Sequence, residues 1–396
     1  MDILLTGLRG NERARRVTEI HPTIQVVYMS GYAEGFSESQ LLSPNAAFLQ
    51  NHFGLQLFSN SLNSSGVELD PAAFFWDFQM NFARTFRSTR LACLFVLSLL
   101  AMPARASHLP LPPETSSILD KIYSFDLDGA VVASRRMQLE QPEYPLGYLL
   151  QAEAFWWEIW CESADFKYGM TDARRRPKLE ADQLYFRLAA KASALAEAQI
   201  KRQETAEMQF YAGMGEAAAA RLYGLRGENR NAARAGVRAR EHFLRAKALD
   251  PTLADADAGL GLYDYYVDTL SAMARILRFF MGIPGGSKQE GVRLLEHAIS
   301  EGELTPNLAR FYLALNLHRY DLRYEQALAV ISPLADKYST NPLFQLARGD
   351  LYAKLGRKRQ ALASYRATSA LTAANAPCQA RLEELVRVST AALGAL

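Results

Sequence analysis

The stretch GIPGGSK (282–288) is the first that could do chemistry, because glycines before a lysine can cradle a phosphate. A phosphate loop needs G-x-x-x-x-G-K-[ST] following a strand. Here position 287 is Ser, position 289 is Gln, and the flanking pattern is helical. Pro284, Gly285 and Gly286 are accounted for by a turn between helices. His242, His297 and His318 stand singly on separate helical segments, without paired spacing, so no metal site is expected. The arginine-rich run at 221–241 is interrupted by Glu228 and Glu241, which reads as a solvated face rather than a nucleic-acid surface. No nucleophile–base pair, paired carboxylates or cofactor motif emerges, so the chain reads as a binding protein rather than an enzyme.

The aromatic residues offer binding chemistry instead. Phe155, Trp156, Trp157 and Trp160 fall within FWWEIW, and Tyr263, Tyr265 and Tyr266 fall within LYDYYVD. On a helix Trp156 and Trp160 share a face, while Trp157 lies about 100° away. Trp156 and Trp160 are therefore expected in the core. One of Trp157, Tyr263 or Tyr266 is expected to line a groove for a partner, since exposed Trp and Tyr anchor interfaces.

The elements that must position these side chains are almost all helical from residue 107 onward. Apolar residues recur at spacings of three and four, and Ala, Leu, Glu and Arg dominate. Breaks fall at QPEYP, RRRP, LRGENRN, LDP, GIPGGS, ELTP, STNP and KLGR. An internal repeat runs through this region. AREHFLRAKALDP places Ala239, Phe243, Ala246 and Pro251; EGVRLLEHAIS places Gly291, Leu295 and Ala298; YEQALAVISPL places Ala327 and Ile331. RGDLYAKLGRKRQALASYRAT places Gly349, Tyr352, Gly356, Ala361 and Tyr365. Ala327 and Ala361 are 34 residues apart, Gly291 and Ala327 are 36 apart, and Ala239 and Gly291 are 52 apart. The last gap implies an insertion, filled by a long helix at ADAGLGLYDYYVDTLSAMARILRFFMG.

Over about 239–375 this pattern resembles the tetratricopeptide repeat, whose period is 34 residues. The resemblance implies helical hairpins stacked into an all-α superhelix, with small residues where paired helices touch and a face that receives a protein or peptide.

The first 106 residues are different. MDILLTG, TIQVVYMSGY and AAFLQNHF are short apolar runs separated by polar segments, an α/β pattern. In order and wording, residues 1–58 resemble the second half of a response-regulator receiver domain. That family carries a phospho-accepting aspartate after the first of these strands, a hydroxyl after the next and a Lys-Pro pair after the last. Here the acceptor position is Gly7, Ser30 supplies the hydroxyl, and Asn51 and His52 stand in place of Lys-Pro. Without a carboxylate nucleophile this degenerate, incomplete α/β fragment is expected not to be phosphorylated. Residues 59–79 read as a linker.

Residues 80–106 combine Arg84, Arg87 and Arg90, the apolar run Leu91–Ala101, and Ala104 and Ala106 before Ser107. These are the three parts of a secretory signal peptide, and the run is too short for a spanning helix. Translation is therefore expected to start at Met80. The mature 107–396 domain would then be periplasmic or secreted, with only transient membrane contact through the signal segment and no stable span. A start at Met1 would instead give a cytoplasmic or membrane-associated fusion of a non-phosphorylatable receiver-like piece with the repeats.

Composition fits this picture. With 49% hydrophobic and 22% charged residues in 396, and a net charge of +2, the chain is neither disordered, collagen-like nor a multi-span membrane protein. Balanced charge gives no global field that would call for nucleic acid. Cys93, Cys161 and Cys378 are too few for a disulfide framework, and their spacing does not say whether Cys161 pairs with Cys378.

Overall fold

A computed structural model describes residues 26–30, 46–50, 109–163, 178–270, 283–373 and 375–394. The chain divides into two compact units, Met1–Val96 and Leu97–Leu396.

In the first unit, β1 (Val26–Ser30) runs parallel to β2 (Ala46–Gln50), with Val26 opposite Ala46 and Ser30 opposite Gln50. Both strands coincide with apolar runs of the sequence. Two strands do not make a receiver fold. Asp2–Thr6, Gly7, Asn51 and His52 lie outside the described residues, as do the linker at 59–79 and the signal-like segment at 80–106.

The second unit is all helix among its described residues. Thirteen helices follow one another: α1 (Thr115–Tyr123), α2 (Leu127–Glu140), α3 (Leu146–Ser163), α4 (Glu180–Arg202), α5 (Ala206–Leu225), α6 (Asn229–Leu249) and α7 (Asp255–Asp268). Then come α8 (Lys288–Glu301), α9 (Pro306–Arg319), α10 (Tyr324–Lys337), α11 (Pro342–Lys354), α12 (Lys358–Ser369) and α13 (Ala376–Gly394). The long helix expected around residue 268 is described only as far as α7, because residues 271–282 lie outside the described set.

Local chemistry sets the boundaries. The Thr205, Ser287 and Asn341 side chains accept from backbone N–H groups of the first turns of α5, α8 and α11. Pro306 and Pro342 occupy the first turns of α9 and α11, where a missing N–H costs nothing. After α11, Gly356 turns left-handed at φ 71° and Arg357 N–H returns to the Tyr352 carbonyl. Asp250 accepts from both the N–H and the hydroxyl of Thr252, holding the turn at exposed Pro251.

Each helix packs chiefly against its neighbours in sequence, as hairpins do in a repeat array. The small residues of the repeat lie at these contacts. Ala239, Ala246, Ala298, Ala327 and Ala361 are buried, as are Phe243 and Tyr365, while Tyr352 is half-buried. Gly261 and Gly291 let α7 and α8 touch backbone to backbone: a Cβ on Gly291 would stand 2.7 Å from the Gly261 carbonyl oxygen. At Gly349 it would stand 2.6 Å from the Tyr365 ring. Phe243 fits between Gly213 of α5 and Gly259 of α7, joining one hairpin to the next.

The array also closes on itself. Asn341 and Thr340, beside α11, donate to the Tyr123 and Ser124 carbonyls after α1, both at 2.9 Å. The Tyr338 hydroxyl donates to Asp120 at 2.8 Å. Cys161 at the end of α3 forms a disulfide with Cys378 of α13, 217 residues away. Both cysteines are buried.

Candidate functional site: a covered face and an open groove

Helix α3 decides which surface of the repeats is free. It is buried nearly all round, from Leu146 through Ser163. On one side Trp156 packs on Tyr185 of α4, with the Arg221 guanidinium of α5 4.2 Å above its ring. On the other, Trp157 meets Tyr123 of α1, Phe311 of α9 and Phe344 of α11, with ring centres 5.9, 4.9 and 5.3 Å away. Trp160 also reaches Phe311, at 5.7 Å. Trp156, Trp157 and Trp160 are 1%, 1% and 3% exposed.

Trp157 therefore offers no surface to a partner, which corrects its place among the groove candidates. The expectation assumed that a helix turns only one face to a core. Helix α3 has partners on both sides, so residues 100° apart are both buried.

Several polar groups on this covered face pair with one another. Glu153 and Arg221 form an ion pair at 2.5 Å, with side chains 14% and 15% exposed. Arg221 also donates from Nε and Nη2 to the Tyr185 hydroxyl, which itself donates to the Ala218 carbonyl. Burial, more than its charged neighbours, pushes the Tyr185 hydroxyl up to about 12.

The other aromatic candidates lie on α7. Tyr263 is half-buried; its hydroxyl donates to the Pro284 carbonyl at 3.0 Å, and Arg240 stands 5.3 Å over its ring. Tyr266 is half-buried among Tyr265 and Tyr320, with ring centres 6.0 and 6.2 Å away. Burial first, and then Tyr320, push its hydroxyl well above the ordinary tyrosine value.

Of these, Tyr263 adjoins an open groove of about 390 Å³. Its lining comes from three consecutive helices: Arg240, Leu244 and Lys247 of α6, Asp257, Leu260 and Asp264 of α7, and Glu290, Arg293, Leu294 and His297 of α8. Asp257, 4% exposed, accepts from Lys247 Nζ at 3.1 Å and meets His297 Nδ1 at 2.7 Å. Burial raises the Asp264 carboxyl and Arg240 opposes the shift. The hydrogen bonds from Arg293 hold Glu290 below the ordinary glutamate value.

The described residues of the sequence motifs are engaged within the fold. At GIPGGSK, the Lys288 N–H that would face a phosphate donates to Asp268, and Lys288 Nζ is paired with Asp321 at 2.7 Å. A carboxylate at that helix start repels an anion. His242 contacts Gln209 at 2.7 Å, and His318 is buried beside Tyr324. Among the described residues no group of three or more potential ligands could hold a metal. In the arginine-rich run, Arg238 pairs with Glu216, and Arg245 of the same helix pairs with Glu204.

Sequence reading missed the groove because its charged residues are far apart in the chain. The signal was present within each helix. Arg240, Leu244 and Lys247 are spaced by four and three; Asp257, Leu260 and Asp264 by three and four; Glu290, Arg293 and His297 by three and four. Each set is one stripe. What the sequence withholds is that the three stripes meet. Compared with known proteins, the chain matches no family model and no curated protein.

Proposed function

We propose that residues 107–396 are an exported, non-catalytic helical-repeat scaffold that binds a protein or peptide partner, with tetratricopeptide-like hairpins as its building unit. The observation that carries the binding reading is the α6–α7–α8 groove. It combines an apolar strip, Leu244, Leu260 and Leu294, with charged side chains along both walls. Leu244 is 42% exposed, as an anchor point awaiting a partner would be. Helix α3 is largely buried against its neighbours, so the partner is assigned to this groove instead.

Two observations support export. The signal-like pattern at 80–106 precedes the domain. The Cys161–Cys378 disulfide is a bond that persists in oxidising compartments and is rare in the cytosol.

The test is site-specific photo-crosslinking in the producing cell. A photoreactive residue at Leu244 should capture a discrete envelope partner. The same residue at Leu139, 83% exposed on α2, should not. Equal capture at both positions, or at neither, removes the groove from this role. The N-terminus of the native protein should lie at or near Ser107; a mature cytosolic chain beginning at Met1 would overturn export.

A further inference from the structure

We propose that α13 is a redox-controlled clasp. The Cys161–Cys378 disulfide holds it closed on the domain, and with the two thiols reduced it lifts away while the rest of the helical array stays folded. Apart from that bond, α13 is lightly held. Its buried residues, Cys378, Arg381, Leu382, Leu385, Ser389 and Leu393, all fall on one face of the helix. Helix α3, by contrast, is buried nearly all round. The buried face of α13 packs against α12, α3 and α11. Along α12 the fit is incomplete. A groove of about 480 Å³ runs along this seam, lined by Leu362, Tyr365 and Arg366 of α12 and by Val386 and Thr390 of α13.

The polar contacts of α13 can be given up at little cost. At its start, the Asn375 side chain accepts from the Cys378 N–H at 2.8 Å and donates to Glu158 and Glu162 of α3 at 3.2 and 2.8 Å. One amide thus bridges two carboxylates. Burial first, and then the Glu162 charge, raise the Glu158 carboxyl, so keeping both ionised in this place is unfavourable. Further along, the Ser389 hydroxyl donates to buried Asp350 of α11 at 3.2 Å. Asp350 also accepts from the Tyr365 hydroxyl at 2.7 Å, so it keeps a donor when Ser389 leaves. The disulfide is the strongest attachment, and it pins the first buried residue of α13 to the last turn of α3. A helix held by one face opens as a local unit once such a pin is removed.

The chemistry is thiol–disulfide exchange. Closing the clasp turns two thiols into one disulfide; the two electrons and two protons pass to an incoming disulfide, which leaves as two thiols. A dithiol reductant reverses the step. Both cysteines are buried, so exchange in either direction proceeds through the lifted helix. Thiols persist in a reducing cytosol and disulfides in oxidising compartments, so an exported chain would clasp α13 after leaving the cytosol. That timing rests on the export reading; the clasp itself does not.

The experiment is amide hydrogen exchange read by mass spectrometry on the full purified protein, oxidised and after dithiothreitol in native buffer, with free thiols counted by maleimide labelling. Reduction should speed exchange across α13 about tenfold or more and leave α6 to α9 unchanged. Reoxidation with oxidised glutathione should restore the protection of α13. The double variant Cys161→Ser, Cys378→Ser should exchange like the reduced protein with or without dithiothreitol; if it fails to fold, the reduced wild-type chain still decides. Equal protection of α13 in both states would make the disulfide a staple on a helix that is docked without it. Loss of protection throughout the domain would make the bond a condition of the whole fold. A disulfide that dithiothreitol reduces only in denaturant would be a fixed one. Each of these three results overturns the clasp. Export is read separately from the N-terminus of the native protein: a mature chain beginning at Met1 would remove the timing and leave the exchange result standing.

Discussion

The face that α3 covers and the groove between α6, α7 and α8 are built from different helices of the same kind, yet their contents are opposite. On the covered face, three tryptophans pack with the rings of Tyr123, Phe311 and Phe344, and of the aromatic residues on α3 only Tyr148 and Phe155 are half-buried. Arg221, largely buried, is held there by Glu153, Tyr185 and the Trp156 ring. In the groove, Leu244 reaches the surface, and Lys247 and His297 lie over the buried Asp257 carboxylate. A polar group that is satisfied within the fold has little left to offer a ligand, whereas an oriented, partly exposed one does. Aromatic density in a sequence is thus a poor guide to a binding surface here, and the arrangement of charge is the better one.

The comparison breaks most readily at Trp157. If α3 is core on both sides, Trp157→Ala leaves a cavity against Phe311 and Phe344 and should cost about 3–5 kcal/mol in chemical denaturation. A loss under about 1 kcal/mol would mean that the ring is not packed there and that the covered face is open to partners.

The disulfide tests the same face from its end. Cys161 and Cys378 tie α3 to the last helix across 217 residues. Replacing both by serine removes a constraint on the unfolded chain and should lower stability by about 2–5 kcal/mol. An unchanged denaturation midpoint would show that helix packing alone holds α3 in place, and it would weaken the case for an oxidising compartment.

How far these features were legible differs by scale. The all-helical pattern and the breaks at LDP, ELTP, STNP and KLGR are local signals: α6, α8, α10 and α11 end near them, and α7, α9, α11 and α12 begin near them. The small residues Ala239, Gly291, Ala327 and Ala361 were legible because a 34-residue period repeats a local contact. The role of α3 was not, because the partners of Trp157 lie more than 150 residues along the chain, in Phe311 and Phe344. For the same reason neither the disulfide nor the Asp257–His297–Lys247 cluster could be read from spacing within one helix. Tyr263 was the one aromatic candidate whose neighbourhood led to the groove, through Arg240.

The repeat register can be checked at Ala361, which is fully buried on α12. Leucine there adds volume where α11 and α12 pack and should cost about 1–3 kcal/mol. A neutral result would place this alanine at solvent and shift the register of the last hairpin. It would leave the covered face and the groove untouched, so this test sharpens the frame within which they are compared.

The smallest effect on folding is expected in the groove, and it separates the two regions most directly. Leu244 is 42% exposed at the wall formed by α6. Leu244→Ser removes apolar surface that is already largely in water, so the thermal midpoint should stay close to wild type, within about 0.5 kcal/mol. Partner binding should nevertheless fall, because the lost side chain is buried only in the complex, and a truncated anchor commonly costs about 2 kcal/mol or more. Trp157→Ala should do the reverse: destabilise strongly, yet leave affinity unchanged under conditions where the variant remains folded. If Leu244→Ser proved as destabilising as Trp157→Ala, the groove would be part of the core and the contrast between the two regions would collapse. If it were neutral in both stability and binding, the groove would keep its shape but lose its assigned role.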